Sequence, residues 1–388
     1  MSRVDDGVER LADVLEAGGE LTDRSWRRTM RAVPRHLFVP DRGYALPCRV
    51  ADGPPARPID RVGDPDGWWD AVYSNMAVIT QRDDGASDPA SAQGDPSSSN
   101  SAPGVVLPFL ELLALREGER VLDVGTGTGW TAALLAERVG AGNVVSVEID
   151  PEVAARAAAN LQAAGYSPTL VVGDGSEGWP QGAPYDAIHV TAGVRDIPPA
   201  WLKQLRPGGR VVMPWMPEGI GGYRLRLTVT PEGHGVGTFH GRAGYMMLRS
   251  QRSSPIWAAH HRDDARVTTT HQDPARIADA GEGAELALVM HVPDLFLLYS
   301  PNADGTTSYL AAEASDPRGS WASCEPGPTG EHTVTQYGER RLWDEVERAF
   351  AWWSGQGSPG PDRFRLLVTD QETRLCLGDD PAMGVPLR

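Results

Sequence analysis

Two rhythms of apolar and polar positions divide this chain. Between residues 105 and 215 short apolar runs alternate with segments of helical period. A helix is predicted over residues 105–115, followed by the strand ERVLDVG, a helix over 130–139, the strand NVVSVEI, a helix over 151–164, and the strands TLVVG and YDAIHVT. A short helix at 199–205 then leads into the strand GRVVMPW. Strands joined through single helices imply a parallel sheet with helices on both faces, an α/β fold. The rhythm breaks at RLRLTVT and GTFHGRAGYMMLR, which flank glycines at 233–237 and read as an antiparallel hairpin.

Before this core, residues 8–31 read as two short helices, with Thr22 or Asp23 capping the second. Pro34 and Pro40 bracket the turn VPRHLFVP, and Pro and Gly break residues 49–81 into loops and short strands. Residues 82–103, RDDGASDPASAQGDPSSSNSAP, hold little that could be buried. They are expected to form a mobile loop, and a loop of that length inside a domain suits an active-site lid. From residue 250 the texture changes: LALVMHV and LFLLYS read as strands, and FRLLVTD and TRLCLGD as a closing strand pair. LWDEVERAFAWWSG reads as an amphipathic helix whose Trp343, Val346, Phe350 and Trp353 form a core stripe. The expected domains are an N-terminal helical and loop region at 1–81, the loop 82–103, the α/β core 104–249 and a small α+β domain at 250–388.

Composition narrows the partners. A formal net charge of -16 over 388 residues opposes binding to a polyanion, so no nucleic-acid partner is expected, whereas a neutral or basic peptide is compatible. Cys48, Cys324 and Cys376 are scattered, with no CxxC pair or histidine cluster beside them, which implies free thiols in a reducing compartment and no metal site. The segment MSRVDDGVERLADVLE lacks the layout of a signal peptide, and no apolar run approaches the roughly 18 residues of a membrane span. A cytoplasmic location away from membranes is expected.

The chemistry centres on residues 121–129, VLDVGTGTG, a strand entering a glycine-rich turn before a helix. Glycines there let the backbone bend sharply and approach a ligand. The dinucleotide fingerprint G-x-G-x-x-G is not matched, because the third glycine stands at 129 and position 130 is Trp; no Gly-Lys-Ser/Thr of a phosphate loop follows. Glu148 ends the next strand about 20 residues on, where a carboxylate can accept from both hydroxyls of a ribose. Asp174, within Gly173-Asp174-Gly175 after the third strand, could accept from an adenine amine. Together they mark a ligand site at the carboxyl edge of the sheet.

This arrangement resembles the class I S-adenosylmethionine (AdoMet) methyltransferases, which implies a Rossmann-like, seven-stranded, mostly parallel sheet, with AdoMet as cofactor. The resemblance places Asp123, Gly125, Thr126, Gly127, Gly129, Glu148, Asp174 and Gly175 around that cofactor. Further residues sharpen the likeness: AVPRHLFVP at 32–40, NSAP at 100–103, GDG at 173–175 with Trp179-Pro180, YDAI at 185–188 with Thr191-Ala192, and LRPGG at 205–209. Over residues 8–215, in consistent order, the chain is similar to the protein L-isoaspartate O-methyltransferases; the C-terminal third lies outside the likeness.

In that family the serine of a T-I-S-A/Q-P motif lies beside the acceptor carboxylate, and Ser101 matches it. The chain departs from the motif with Ser99 for threonine and Asn100 for the aliphatic residue. Those departures, the long loop before them and the added domain resemble a branch that tailors ribosomally made peptides. This resemblance implies methylation of an aspartate in a precursor peptide, pre-modified or not, with Ser101, Ser99 and Asn100 as catalytic residues, and collapse of the ester to aspartimide or isoaspartate. The alternatives are an isoaspartyl repair enzyme and a non-catalytic AdoMet-binding protein. His36 is expected to be a packed structural histidine.

Overall fold

The computed structural model describes residues 2–48, 54–217, 221–252, 264–327, 330–379 and 384–387. They pack as two compact units. One comprises Met1–Gly193, Pro198–Met213 and Tyr245–Leu248; the other comprises Val194–Ile197, Pro214–Gly244 and Arg249–Arg388.

The first unit opens with α1 (Arg3–Gly18) and α2 (Arg24–Ala32). Ser2 and Asp5 form a reciprocal capping box, and Asp23 caps α2 by accepting from the Ser25 N–H. Val8, Leu11, Ala12 and Leu15 line the buried face of α1. Next come β1 (Arg42–Pro47), β2 (Arg57–Asp60), α3 (Pro65–Val72), β3 (Met76–Arg82), β4 (Pro96–Asn100) and α4 (Pro103–Leu113). The four strands form an antiparallel sheet in the order β2-β1-β3-β4. Of the expected loops and strands at 49–81, residues 49–53 lie outside the described residues.

The expectation of a structureless loop at 82–103 is corrected by this sheet: the segment completes the hairpin β3–β4 and enters α4. The Asp83 N–H donates to the Asp95 carbonyl at 2.8 Å, and the Asp95 N–H donates back to the Asp83 carboxylate at 2.8 Å. Ser97 Oγ accepts from the Asp84 N–H at 3.1 Å, and the Asp88 carboxylate from the Ala90 N–H at 2.9 Å. Short Asp and Ser side chains cannot build a core, but they satisfy turn backbone, which composition does not register.

The chain then winds through β5 (Val121–Val124), α5 (Trp130–Val139), β6 (Val144–Glu148), α6 (Pro151–Ala163), β7 (Thr169–Val172), β8 (Tyr185–Val190), α7 (Pro199–Gln204) and β9 (Leu205–Trp215). The strands are parallel in the order β9-β8-β5-β6-β7. Strands β5, β6 and β8 are buried along their whole length. The direction of winding reverses between β5 and β8, and at such a switch point a crevice opens beyond the carboxyl ends of the strands. Residues 1–81 share one unit with these α/β strands.

The second unit contains β10 (Tyr223–Val229), β11 (Gly235–Arg242), β12 (Arg266–Thr270), α8 (Pro274–Ala278), α9 (Glu282–His291), β13 (Leu295–Pro301), β14 (Thr307–Glu313), β15 (Trp321–Glu325), β16 (His332–Tyr337), α10 (Leu342–Gly355), β17 (Phe364–Val368), β18 (Thr373–Leu377) and β19 (Val385–Leu387). The hairpin β10–β11, expected inside the core 104–249, groups instead with the C-terminal residues, because β11 pairs with β17 and β17 with β18. A pairing across more than a hundred residues leaves no trace in local composition. A five-stranded antiparallel sheet runs β12-β16-β15-β14-β13. LALVMHV is the helix α9, not a strand: straight-chain Leu and Met with Ala favour a helix where the run is too short to show its period. Trp343, Val346, Phe350 and Trp353 are buried as expected.

Candidate active site

At the end of β5 the backbone turns left-handed three times, at Gly125 (φ 91°), Gly127 (φ 56°) and Gly129 (φ 89°). A Cβ on Gly125 would lie 2.5 Å from Thr191 Oγ1, and that hydroxyl donates to the Gly125 carbonyl at 2.6 Å. Four of the loop N–H groups are occupied internally. Those of Gly125 and Thr126 donate to the Val147 carbonyl, that of Gly129 to the Thr126 carbonyl, and that of Gly127 to Glu148 Oε2 at 2.9 Å. A phosphate cradle needs such groups pointing outward, and a carboxylate facing the loop would repel phosphate. The turn thus suits a ligand without phosphate at this position.

Glu148 is buried and also accepts the Asp150 N–H on Oε1 at 3.1 Å. These two bonds hold the carboxylate beside the glycine turn. Asp174 is exposed, and its Oδ1 accepts from the Ser176 N–H at 2.9 Å. Gly175 packs so closely on β5 that a Cβ would meet Val124 Cγ1 at 2.5 Å, and its carbonyl accepts from the buried Trp201 indole at 2.9 Å.

Two expected cofactor contacts turn inward. Asp123 has no exposed surface, and its oxygens accept from Ser146 Oγ at 2.7 Å and lie 2.9 Å from His189 Nδ1. The expectation of an Asp123 contact is corrected accordingly: the register of β6 and β8 sets Ser146 and His189 directly beside it. Thr126 Oγ1 is likewise engaged with Ser146 Oγ at 2.7 Å, so Thr126 can serve the site only through its backbone.

Strand period sorts the acceptor candidates. Ser99 and Ser101 are partly exposed, and neither hydroxyl has a hydrogen-bond partner among the described residues, whereas Asn100 is buried on the opposite side. Asn100 Oδ1 accepts from Arg35 Nε at 2.7 Å, and its Nδ2 donates to Thr128 Oγ1 at 2.9 Å. The expectation of a catalytic Asn100 is therefore corrected; it joins β4 to the glycine turn. A Cβ on Gly127 would come within 3.3 Å of the Ser99 carbonyl oxygen, so the acceptor segment lies directly against that turn.

Arg35 holds this arrangement and was missed from sequence. It is buried over the Trp130 ring at 5.4 Å and donates to the carbonyls of Val72, Met76, Asn100 and Ser101 at 2.7–3.2 Å. The available signal was a cation set between apolar residues in VPRHLFVP. Asn75 was also missed; its Oδ1 accepts the Gly104 N–H at 2.9 Å at the start of α4, which lacks a side-chain cap of its own. His36 packs on Trp69 with ring centroids 5.0 Å apart, and its Nδ1 lies 2.8 Å from Tyr73 Oη, in keeping with a structural role.

Comparison with known proteins bears on this geometry. The family model for protein-L-isoaspartate(D-aspartate) O-methyltransferase matches residues 85–223. Protein-L-isoaspartate O-methyltransferase 2 of Archaeoglobus fulgidus is 39% identical over 212 residues, 54% of this chain and 78% of that protein. The chain belongs to the protein-L-isoaspartate O-methyltransferase family. A further relative of that name, from Pyrococcus horikoshii, is 35% identical over 218 residues, 56% of this chain and 79% of its own. Members of the family are AdoMet-dependent carboxyl methyltransferases. A solved structure titled protein-L-isoaspartate O-methyltransferase aligns with 96% of this chain and 100% of its own at 20% identity and a TM-score of 0.54. That likeness of fold reaches into the C-terminal third, which had been expected to lie outside the resemblance.

Proposed function

We propose that the chain transfers a methyl group from AdoMet to the carboxylate of an isoaspartyl residue in peptides or proteins. The observation that carries this reading is the seating of the Ser99 and Asn100 segment, which leads directly into Ser101, against the glycine turn; it brings acceptor and cofactor candidates to one place. Glycines 125, 127 and 129 allow the tight left-handed turn against which AdoMet would lie, Glu148 would hold its ribose hydroxyls, and Asp174 its adenine amine. When bound, AdoMet supplies an electrophilic methyl group on a sulfonium.

The protein's own task is then mainly geometric. A carboxylate is already an anion at neutral pH, so no general base is required. Ser101 Oγ–H donates to one carboxylate oxygen and orients the other in line with the methyl group. The methyl ester leaves the enzyme activated at its carbonyl; the following backbone nitrogen attacks, methanol departs, and the aspartimide opens in water. No side chain is needed for those later steps. No helix among the described residues is long and apolar enough to cross a membrane, and the reading places the work in the cytoplasm.

A second reading is methylation of an ordinary aspartate in a ribosomally made precursor peptide. The Ser99-Asn100 departure and the hairpin β3–β4 favour it; the second unit does not distinguish the two, since the aligned methyltransferase structure spans it as well. Mass spectrometry of an isoaspartyl peptide and its aspartyl isomer, each incubated with enzyme and AdoMet, separates them. Methyl ester on the isoaspartyl peptide alone supports the proposal. Ester followed by net loss of water on the aspartyl peptide alone would replace it with the tailoring reading.

A further inference from the structure

Between the acceptor strand and the cofactor turn lies a deeply buried amide. Gln81, near the end of β3, is 4% exposed. Its Oε1 accepts from Ser97 Oγ at 2.9 Å, and its Nε2 donates to Asp150 Oδ2 at 3.0 Å. Asp150 caps α6 by accepting from the Glu152 and Val153 N–H groups, while its own N–H donates to Glu148 Oε1. Hydrogen bonds therefore run without a break from Ser97, on the strand of the acceptor serines, through Gln81 and Asp150 to the acid at the glycine turn.

The strand pairing shows why this link matters. Gln81 faces Ser98, and the register shifts on both sides of Gln81. Val78–Asn100 and Ile79–Ser99 pair in register, but the ladder is irregular on the Ser97–Ser98 side, where the Gln81–Ser97 bond adds a side-chain constraint. An amide this deeply buried is unfavourable unless both its ends are paired, and both are.

We propose that Gln81 is a positioning residue that couples occupancy of the cofactor turn to the geometry of the acceptor strand. The proposal rests on the reading of Glu148 as a cofactor contact and Ser101 as an acceptor contact. A ligand on Glu148 steadies the Asp150 cap, which steadies the Gln81 amide and, through Ser97, the strand. Each ligand then lowers the ordering cost met by the other, by an equal factor in both directions.

Calorimetric titration of an isoaspartyl peptide into the full chain, with and without saturating S-adenosylhomocysteine, measures that factor. In the unaltered protein peptide affinity should rise roughly tenfold, within the 5- to 150-fold span common for coupled sites. Gln81→Leu and Gln81→Glu should bring the ratio toward one, with KM for peptide rising more than kcat falls. The double variant Gln81→Glu with Asp150→Asn exchanges donor and acceptor across the same bond and should regain most of the coupling. If Gln81→Leu does not fold, Ser97→Ala cuts the same chain at its less buried end and should lower the ratio likewise. A ratio of one in the unaltered protein, a ratio unchanged in the Gln81 or Ser97 variants, or a double variant no better than its singles overturns the proposal. Failure of the unaltered protein to bind S-adenosylhomocysteine, or to methylate peptide, would instead overturn the functional reading.

Discussion

Arg35 is a buried cation whose partners among the described residues are carbonyls and the Asn100 amide; no carboxylate pairs with it. Burial pulls its guanidinium down to about 9, so it stays charged at neutral pH. Arg35→Met would strand several buried carbonyls, at about 1–3 kcal/mol each, so a loss of at least ~3 kcal/mol in denaturant unfolding is expected. A loss below ~1 kcal/mol would show that the network relaxes around the vacancy. Ser101 belongs to a different class, because its hydroxyl is left over for a ligand. Ser101→Ala should lower kcat/KM for peptide about 10- to 100-fold, the worth of a hydrogen bond to a charged group, while AdoMet affinity is retained; loss of AdoMet binding would move Ser101 out of the acceptor role. His36 sets a pH dependence. Burial first, and then the charge of Arg61, hold its imidazole below 6.5. The unfolded chain takes up the proton more readily, so the stability present above about 6.5 is lost as pH falls through that value toward the folded one. Melting temperatures at pH 7 and pH 5 should differ less for His36→Gln than for the unaltered protein. Equal differences would assign the acid sensitivity elsewhere, with His240 and His291, both held down by burial, the next to examine.

At the scale of elements, the GDG turn after β7 is tied to β5 by contact as well as sequence. A methyl group on Gly175 would sit 2.5 Å from Val124 Cγ1. Gly175→Ala should therefore destabilise the protein by about 1–3 kcal/mol, the usual range for overpacking, and weaken S-adenosylhomocysteine binding through displacement of Asp174. Unchanged binding would separate Asp174 from the cofactor. This turn, the parallel strands and their helices were legible because each is a local pattern: buried strands read as apolar runs, and Asp150-Pro151 reads as a helix start. The hairpin β3–β4 was not, since Asp83, Asp88 and Ser97 look like the residues of an unstructured loop until their side chains are seen to hold the turn backbone. Asn100 and Asp123 were misassigned for a related reason. Sequence places a residue on a strand, but the facing direction follows from register, which the partners Thr128, Ser146 and His189 settle. Gln81 and Arg35 were missed because their partners are distant in sequence.

For the whole molecule, the net charge of -16 bears on substrate choice. Isoaspartyl peptides flanked by Lys or Arg should show kcat/KM several-fold above the same peptides flanked by Glu, and the gap should narrow as salt shortens the Debye length from about 30 Å at 0.01 M toward 3 Å at 1 M. A gap that does not respond to salt would point to specific side-chain contacts instead of the general field. The two carboxylates at the carboxyl edge of the parallel strands have another bearing. On the proposed reading, Glu148 and Asp174 grip the nucleoside half of the cofactor, which is the half that the reaction leaves unchanged. Neither acid can tell the charged reagent from its spent form. Turnover inside a cell would then follow the ratio of fresh to spent cofactor, and the enzyme would fall silent wherever the spent form is allowed to accumulate.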